Sequence, residues 1–168
     1  MANFEAYAPL LHRLEKGFVN DPDDNGGATM DGVTLATYRQ FYGESKTVED
    51  LKNITWNEWC HIMKAGYWDK CKADDIDNQC VAELIADWCV NSGLAGLRRV
   101  QEIIGARPDG IAGPITLSLI NSSDSQALFK RILLAREQWF RKIVQNNPSK
   151  KKFLKGWLNR LDAFEYKL

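Results

Sequence analysis

Glu15 is an acidic residue on a helical face that is otherwise apolar. The apolar residues of this face recur at helical spacing before it: Phe4, Tyr7, Ala8, Leu11 and Leu14. A carboxyl buried on such a face is costly unless it is paired or protonated, and burial favours the protonated form. General acid catalysis near neutral pH requires a protonated carboxyl. Glu15 is therefore a candidate proton donor, although an ion-paired or edge-exposed structural acid would give the same pattern.

An acidic, glycine-rich loop follows Glu15 and places more carboxylates near it in the sequence. These carboxylates belong to Asp21, Asp23, Asp24 and Asp31. Residues 21–26 match the opening of an EF-hand calcium loop, but the twelfth position is Gly32, where that motif requires a bidentate Glu. We therefore favour a rigid turn, in which Pro22 fixes φ and the glycines permit positive φ.

Length and charge limit the kinds of partner. The chain has 168 residues, enough for one domain with a real core. Lys plus Arg equal Asp plus Glu at 22 each, so no whole-chain field favours nucleic acid. No apolar run is long enough to span a bilayer, and the N-terminus lacks a basic and apolar leader. We expect no nucleic-acid partner, no membrane span and no signal peptide in the chain.

The cysteines and histidines do not form a recognisable metal motif. The spacing of Cys60, Cys71, Cys80 and Cys89 fits neither a zinc site nor a dense disulfide scaffold. His12 and His61 have no partners at metal-ligand spacing. We expect buried free thiols, with the last two cysteines on one helix, and no metal site.

Helical signals run through the whole chain and predict an all-α fold. No segment shows sustained period-two alternation, although a short two-stranded hairpin after the first helix is compatible with the sequence. The first predicted helix runs from an Asn3 cap to Glu15, the second covers Thr34–Tyr42, and the next two begin at the capping boxes of Thr47 and Thr55. A longer helix carries Val81 and ends by Gly93, another ends at Gly105, and a further one begins at Pro114. Two long helices lie before and after Pro148, and the last carries Phe153, Trp157, Leu161 and Phe164.

The segment from Glu15 to Thr34 is the longest pattern in the chain. It resembles the signature of the glycoside hydrolase family 108 lysozymes, whose members are also called secretion activator proteins. That signature begins with Glu-Gly-Gly, continues through Asp-Pro-x-Asp-x-Gly-Gly-x-Thr and closes on Gly-Ile-Thr. Tyr67-Trp68 and the segment from Asp87 to Gly93, which matches Asp-x-x-x-Asn-x-Gly, extend the resemblance over about the first ninety residues.

The remainder resembles the helical peptidoglycan-binding region that accompanies this family. The matching residues are Val100-Gln101, Gly105, Asp109-Gly110, Gly113-Pro114, Thr116, Gly156-Trp157 and Arg160. The resemblance implies a lysozyme-like helical fold, with a hydrolase-like region over residues 1–92 and a peptidoglycan-binding-like region over residues 93–168. Because no low-complexity linker separates them, we expect the two regions to pack as one globular unit.

The resemblance also implies a chemistry: hydrolysis of the β-1,4 bond between N-acetylmuramic acid and N-acetylglucosamine, without a cofactor. This reaction needs a proton donor and a group that stabilises or captures the oxocarbenium-like centre. Glu15 is the expected donor. The second role falls to a loop carboxylate, for which we favour Asp24, or to a water positioned by Thr29 or Thr34.

Three further residues are candidates for substrate binding. Tyr67 and Trp68 could floor a sugar subsite, since aromatic rings pack against pyranose faces, or form part of the core. Asn91 could bond an N-acetyl group, or its Asn-Ser-Gly sequence could be an ordinary helix stop.

The expected partner is the glycan strand of peptidoglycan, bound by a monomer. A bacterial or phage protein of this kind would be made in the cytoplasm and reach the cell wall, periplasmic or extracellular, by export or lysis.

Two residues depart from the family signature. Lys16 replaces a glycine, and Asn25 replaces a usual proline. A cation beside Glu15 favours the ionised carboxylate. This departure supports an alternative function, a catalytically weak or inactive protein that binds the cell wall or assists secretion. A calcium-sensing helical protein is a more distant alternative, which Gly32 disfavours.

Overall fold

The computed structural model describes residues 1–20 and 27–167 and is dominated by helices. Helix accounts for 69% of the residues and strand for 4%, which confirms the all-α, lysozyme-like fold class. The α-helices are α1 (Phe4–Glu15), α2 (Leu35–Tyr42), α3 (Val48–Lys52), α4 (Trp56–Met63), α5 (Gln79–Ser92), α6 (Leu94–Ile104), α7 (Pro114–Ser122), α8 (Ser125–Asn146) and α9 (Lys151–Leu161). No helix in these two ranges has the length and apolar character needed to cross a bilayer.

Local capping chemistry explains where several of these helices begin and end. Thr47 and Thr55 each form a complete capping box, in which the threonine hydroxyl accepts from a backbone N–H while an acidic side chain accepts from the threonine N–H. Pro114 occupies the first position of α7, and Gly105 ends α6 with a φ of 75°. The helix ends predicted from these residues are confirmed. The last helix is shorter than predicted, because Phe164 lies beyond its end at Leu161, although its ring is buried.

A small antiparallel sheet follows α1. It consists of β1 (Phe18–Val19), β2 (Thr29–Met30) and β3 (Val33–Thr34), in the order β1-β2-β3. The expected hairpin is thus present, with a third strand added. The turn between β2 and β3 is Asp31-Gly32, with φ of 47° and 81°. Two consecutive positive φ values are typical of the tight hairpin turn that Asp-Gly sequences favour.

The contacts divide the chain into two compact units. The N-terminal unit, as we call it, is Phe4–Asp69, and the C-terminal unit is Met1–Asn3 together with Lys70–Leu168. The regional boundary at residues 92 and 93, which follows the family patterns, remains a prediction.

Aromatic packing forms much of the core of the N-terminal unit. Tyr7 stacks on Trp68 with ring centroids 5.8 Å apart, and Phe4 meets both rings edge-on. The predicted apolar face of α1 is buried at Phe4, Tyr7, Ala8 and Leu11, while Leu14 is half-buried. Glu15 is the last residue of α1.

Helix α5 is the centre of the C-terminal unit and packs against α6 and α8. The corner between α5 and α6 is close-packed, since a Cβ on Gly96 would lie 2.7 Å from the backbone carbonyl carbon of Trp88. Cys80 and Cys89 share α5, as predicted, and both are buried with Cys71.

Candidate active site

The end of α1 places the Glu15 carboxyl against the turn between β2 and β3. The residue as a whole is half-buried, and its Oε1 is shielded from solvent. A Cβ built on Gly32 would lie only 2.6 Å from Glu15 Oε2. The carboxyl therefore rests on the backbone of this turn, and a side chain at Gly32 would displace it.

Asp31 fastens the same turn to its surroundings. Its side chain is 8% exposed, and both carboxylate oxygens accept hydrogen bonds. Oδ1 accepts from the Gly17 backbone N–H at 2.7 Å, and Oδ2 accepts from His12 Nε2 at 2.9 Å. The Asp31 carbonyl accepts from Trp59 Nε1 at 2.8 Å. These bonds give Asp31 a positioning role, since they tie the turn under Glu15 to α1 and α4.

Tyr67 is electrostatically coupled to Glu15. It lies on a π-helical turn, Lys64–Trp68, closed by a 2.9 Å bond from the Asp69 N–H to the Lys64 carbonyl. Burial, and to a lesser extent the negative charge that Glu15 carries when it is ionised, raise the pKa of Tyr67 above its ordinary value. Because that ordinary value is already about 10, the phenol is protonated at neutral pH whatever the state of Glu15 and can donate a hydrogen bond. Single π-turns of this kind are frequent at functional sites.

Trp56 is an exposed aromatic ring next to this cluster. It is 48% exposed and stacks on Trp59 at a centroid distance of 5.3 Å. The His12 ring meets both indoles edge-on. Neither the exposed Trp56 ring nor the pairing of His12 with Asp31 was predicted from the sequence. The sequence did contain a signal for Trp56. It is a large aromatic residue at the first position of α4, outside the apolar stripe that this helix buries.

The other predicted residues of this unit have diverse environments. Thr29 is half-buried in β2, opposite Thr34 in β3. The Thr34 hydroxyl accepts from the Thr37 N–H as the N-cap of α2. Trp68 is 1% exposed and belongs to the aromatic core. Asp24 lies outside the described residues, as does the EF-hand-like segment 21–26.

Asn91 lies in the C-terminal unit, on an exposed turn of α5. Its Oδ1 accepts from Arg136 Nη2 at 2.8 Å, and the same nitrogen donates to Asp87 Oδ2 at 2.9 Å. Arg160 donates to both oxygens of Asp87, at 3.0 and 2.7 Å. Burial alone would raise the pKa of Asp87, but the two guanidinium groups outweigh it and hold that pKa below its ordinary value. Asp87, Arg136 and Arg160 thus form a largely buried ionic cluster, to which Asn91 adds a hydrogen bond.

No candidate metal site is present in the parts of the chain that are described. There, no three His, Cys, Asp or Glu side chains are grouped so that they could hold an ion.

Family models and a solved structure match this chain. The family model described as Glycosyl hydrolase 108 matches residues 9–93. A second model, described as Predicted Peptidoglycan domain, matches residues 95–162. The solved structure of Brucella abortus SagA is 28% identical, with a TM-score of 0.78 over 95% of this chain and 89% of that one. No protein with a curated description matches.

The two family matches cover the regions that the sequence resemblance indicated, and they support a lysozyme-like role related to peptidoglycan at the cell wall. By the match over residues 9–93, the chain belongs to the glycosyl hydrolase 108 family.

Proposed function

We propose that the protein is a peptidoglycan hydrolase that cleaves the β-1,4 bond between N-acetylmuramic acid and N-acetylglucosamine, with Glu15 as the general acid. The observation that carries this proposal is the setting of Glu15, whose carboxyl has one shielded oxygen and rests on the Gly32 backbone. Membership of a glycosyl hydrolase family supports the reaction class.

In this mechanism Glu15 protonates the glycosidic oxygen while the bond to the anomeric carbon breaks. In this proposal the neutral Tyr67 phenol donates a hydrogen bond to the substrate; its support is the nearness to Glu15 that its raised pKa reflects. The exposed Trp56 ring offers an apolar face for a pyranose. Together they would orient the sugar while the proton moves.

The second carboxylate or a bound water must stabilise the positive charge that develops on the sugar. Asp24 of the acidic loop remains our candidate for the carboxylate. For a water, Thr29 is better suited than Thr34. The Thr34 hydroxyl is committed to Thr37, whereas that of Thr29 bonds to no described residue.

The test is clearing of a peptidoglycan suspension together with release of reducing ends. We expect activity from the wild type and none from Glu15→Gln, at an unchanged melting temperature. Glu44→Gln, an exposed glutamate of the same unit, is the matched control and should retain activity. If the wild type binds walls but releases no reducing ends, the hydrolase proposal is wrong.

Lys16 supports a second candidate, a wall-binding or secretion-assisting protein with little turnover. It is exposed and directly follows Glu15, where the family signature has glycine. Lys16→Gly should then increase turnover by restoring the family sequence. Equal activity of Lys16→Gly and the wild type would remove this argument for a weak enzyme.

A further inference from the structure

A cavity between α6 and α8 lies in the C-terminal unit, which does not contain Glu15. Its volume is about 350 Å³, within the range of small-ligand sites, roughly 300–1,000 Å³. We call it the α6–α8 cavity. Its lining includes Trp88, Arg99, Glu102, Ile103, Trp139 and Lys142.

Trp88 contributes an apolar wall to the α6–α8 cavity. The residue is 1% exposed, and its Nε1 is buried without a hydrogen-bond partner within the described residues. Because solvent does not reach this N–H, a ligand in the cavity meets the indole ring and not its donor.

Arg99 stacks on Trp139, with its guanidinium carbon 3.4 Å from the ring centroid. This stack covers one face of the indole and closes it to a sugar ring. The edge of a stacked guanidinium still presents paired N–H groups, a geometry that matches a carboxylate. Arg99 forms no ion pair with a residue in the described ranges, so this edge is available to a ligand.

The charged residues that line the cavity also favour a negatively charged ligand. Arg99 and Lys142 are cations, and Glu102 is the acid that accompanies them in the lining. The balance favours an anion. Ile103 and Ala135 provide apolar surface beside these charges, which suits small aliphatic side chains.

We propose that the α6–α8 cavity binds a short, carboxylate-bearing peptide: Arg99 and Lys142 hold the carboxylate, and Trp88, Ile103 and Ala135 pack against its aliphatic side chains. Stem peptides of peptidoglycan are short, rich in alanine and carry free carboxylates, so they have the required chemistry. The inference deepens the proposed function and rests on it for the choice of ligand. Stem recognition then lies in the C-terminal unit, whereas the proposed glycan cleavage lies in the N-terminal unit.

The probe is a synthetic alanyl-γ-D-glutamyl-lysyl-D-alanine peptide, which has no glycosidic bond. Its binding to the full-length protein is measured by calorimetry and by tryptophan fluorescence. We expect the wild type to bind it, more weakly as salt increases, and to reject the same peptide with amidated carboxyls. Arg99→Gln should weaken binding at least tenfold, and Arg99→Lys less, because lysine keeps the charge but not the paired donors.

Arg141→Gln is the matched control, since Arg141 is an exposed arginine of α8 that pairs with Glu137 outside the cavity. It should bind the peptide as the wild type does. Lys142→Gln changes an exposed residue of the cavity and should also weaken peptide binding. It tests the inference if Arg99→Gln does not fold. Unchanged affinity in both cavity variants, or no binding by the wild type at millimolar peptide, would overturn the inference.

Displacement of the peptide by glycan strands that lack stems would also overturn it, in favour of a sugar site. Glu15→Gln should bind the peptide normally. If the wild type binds the peptide but does not cleave glycan, the hydrolase proposal fails while the peptide site stands.

Discussion

Gly32 lies so close to Glu15 that a side chain at position 32 would displace the Glu15 carboxyl. A Cβ on Gly32 would lie 2.6 Å from Glu15 Oε2, 3.1 Å from Cγ and 3.2 Å from Cβ. The same glycine has a φ of 81°, which a side chain would strain. In the sequence, this position argued against a calcium loop because it lacks a glutamate. In the structure it has a positive role, since the bare backbone is the surface on which the carboxyl rests.

Gly32→Ala should therefore lower activity through the position of Glu15. We expect at least a tenfold loss of turnover and a destabilisation of about 1–3 kcal/mol from the strained φ. Gly27→Ala is the control: Gly27 also has a positive φ, 66°, but a Cβ there meets nothing within 4 Å. Turnover per folded molecule should be retained in Gly27→Ala. Equal losses in the two variants would show that strain, and not contact with Glu15, is responsible.

The Asp87 cluster should make stability depend on acid pH. The pKa of Asp87 is lower in the folded protein than its ordinary value, so its contribution is complete above the ordinary value and is lost as pH falls through the folded value. Asp87→Asn leaves two guanidinium groups without their carboxylate and should cost about 3–5 kcal/mol. Urea unfolding between roughly pH 2 and 7 measures both effects.

Asp162→Asn, at an exposed position after α9, is the control and should unfold like the wild type. The interpretation of the cluster would be wrong if Asp87→Asn kept the full acid dependence of the wild type.

Cys71 should react slowly with alkylating reagents in the folded protein. Its thiol donates to Cys89 Sγ at 3.0 Å, and this bond together with burial raises the pKa of Cys71 well above its ordinary value. The reactive thiolate is then scarce at pH 8. Burial also raises the pKa of Cys60, but that side chain is partly exposed and should be labelled first. Peptide mass spectrometry after timed iodoacetamide treatment measures the order. Labelling of Cys71 as fast as Cys60 would contradict it.

Local sequence determined the helices and the position of Glu15, because capping boxes, glycine stops and an apolar stripe act within a few residues. Thr47, Thr55 and Gly105 are examples of such signals. The pairing of His12 with Asp31 was not predictable in this way, since the partners are 19 residues apart and meet only once the sheet has formed. The ion pair between Asp87 and Arg160, which are 73 residues apart, likewise depends on how the helices pack. The family signature marked Asp87 and Arg160 without indicating that they bind each other.

Trp56→Ala should weaken substrate binding more than it affects the fold. Trp56 is 48% exposed, so its removal leaves no large cavity, while Trp59 beneath it stays bonded to the Asp31 carbonyl. Loss of an aromatic platform worth about 1 kcal/mol should raise KM, or the Kd for a chitooligosaccharide, about fivefold with kcat nearly unchanged. Phe41→Ala removes another exposed aromatic ring of the same unit, 36% exposed, and should leave KM unchanged. A fall in kcat at constant KM would instead place Trp56 among the groups that support Glu15, through the His12 ring that it contacts.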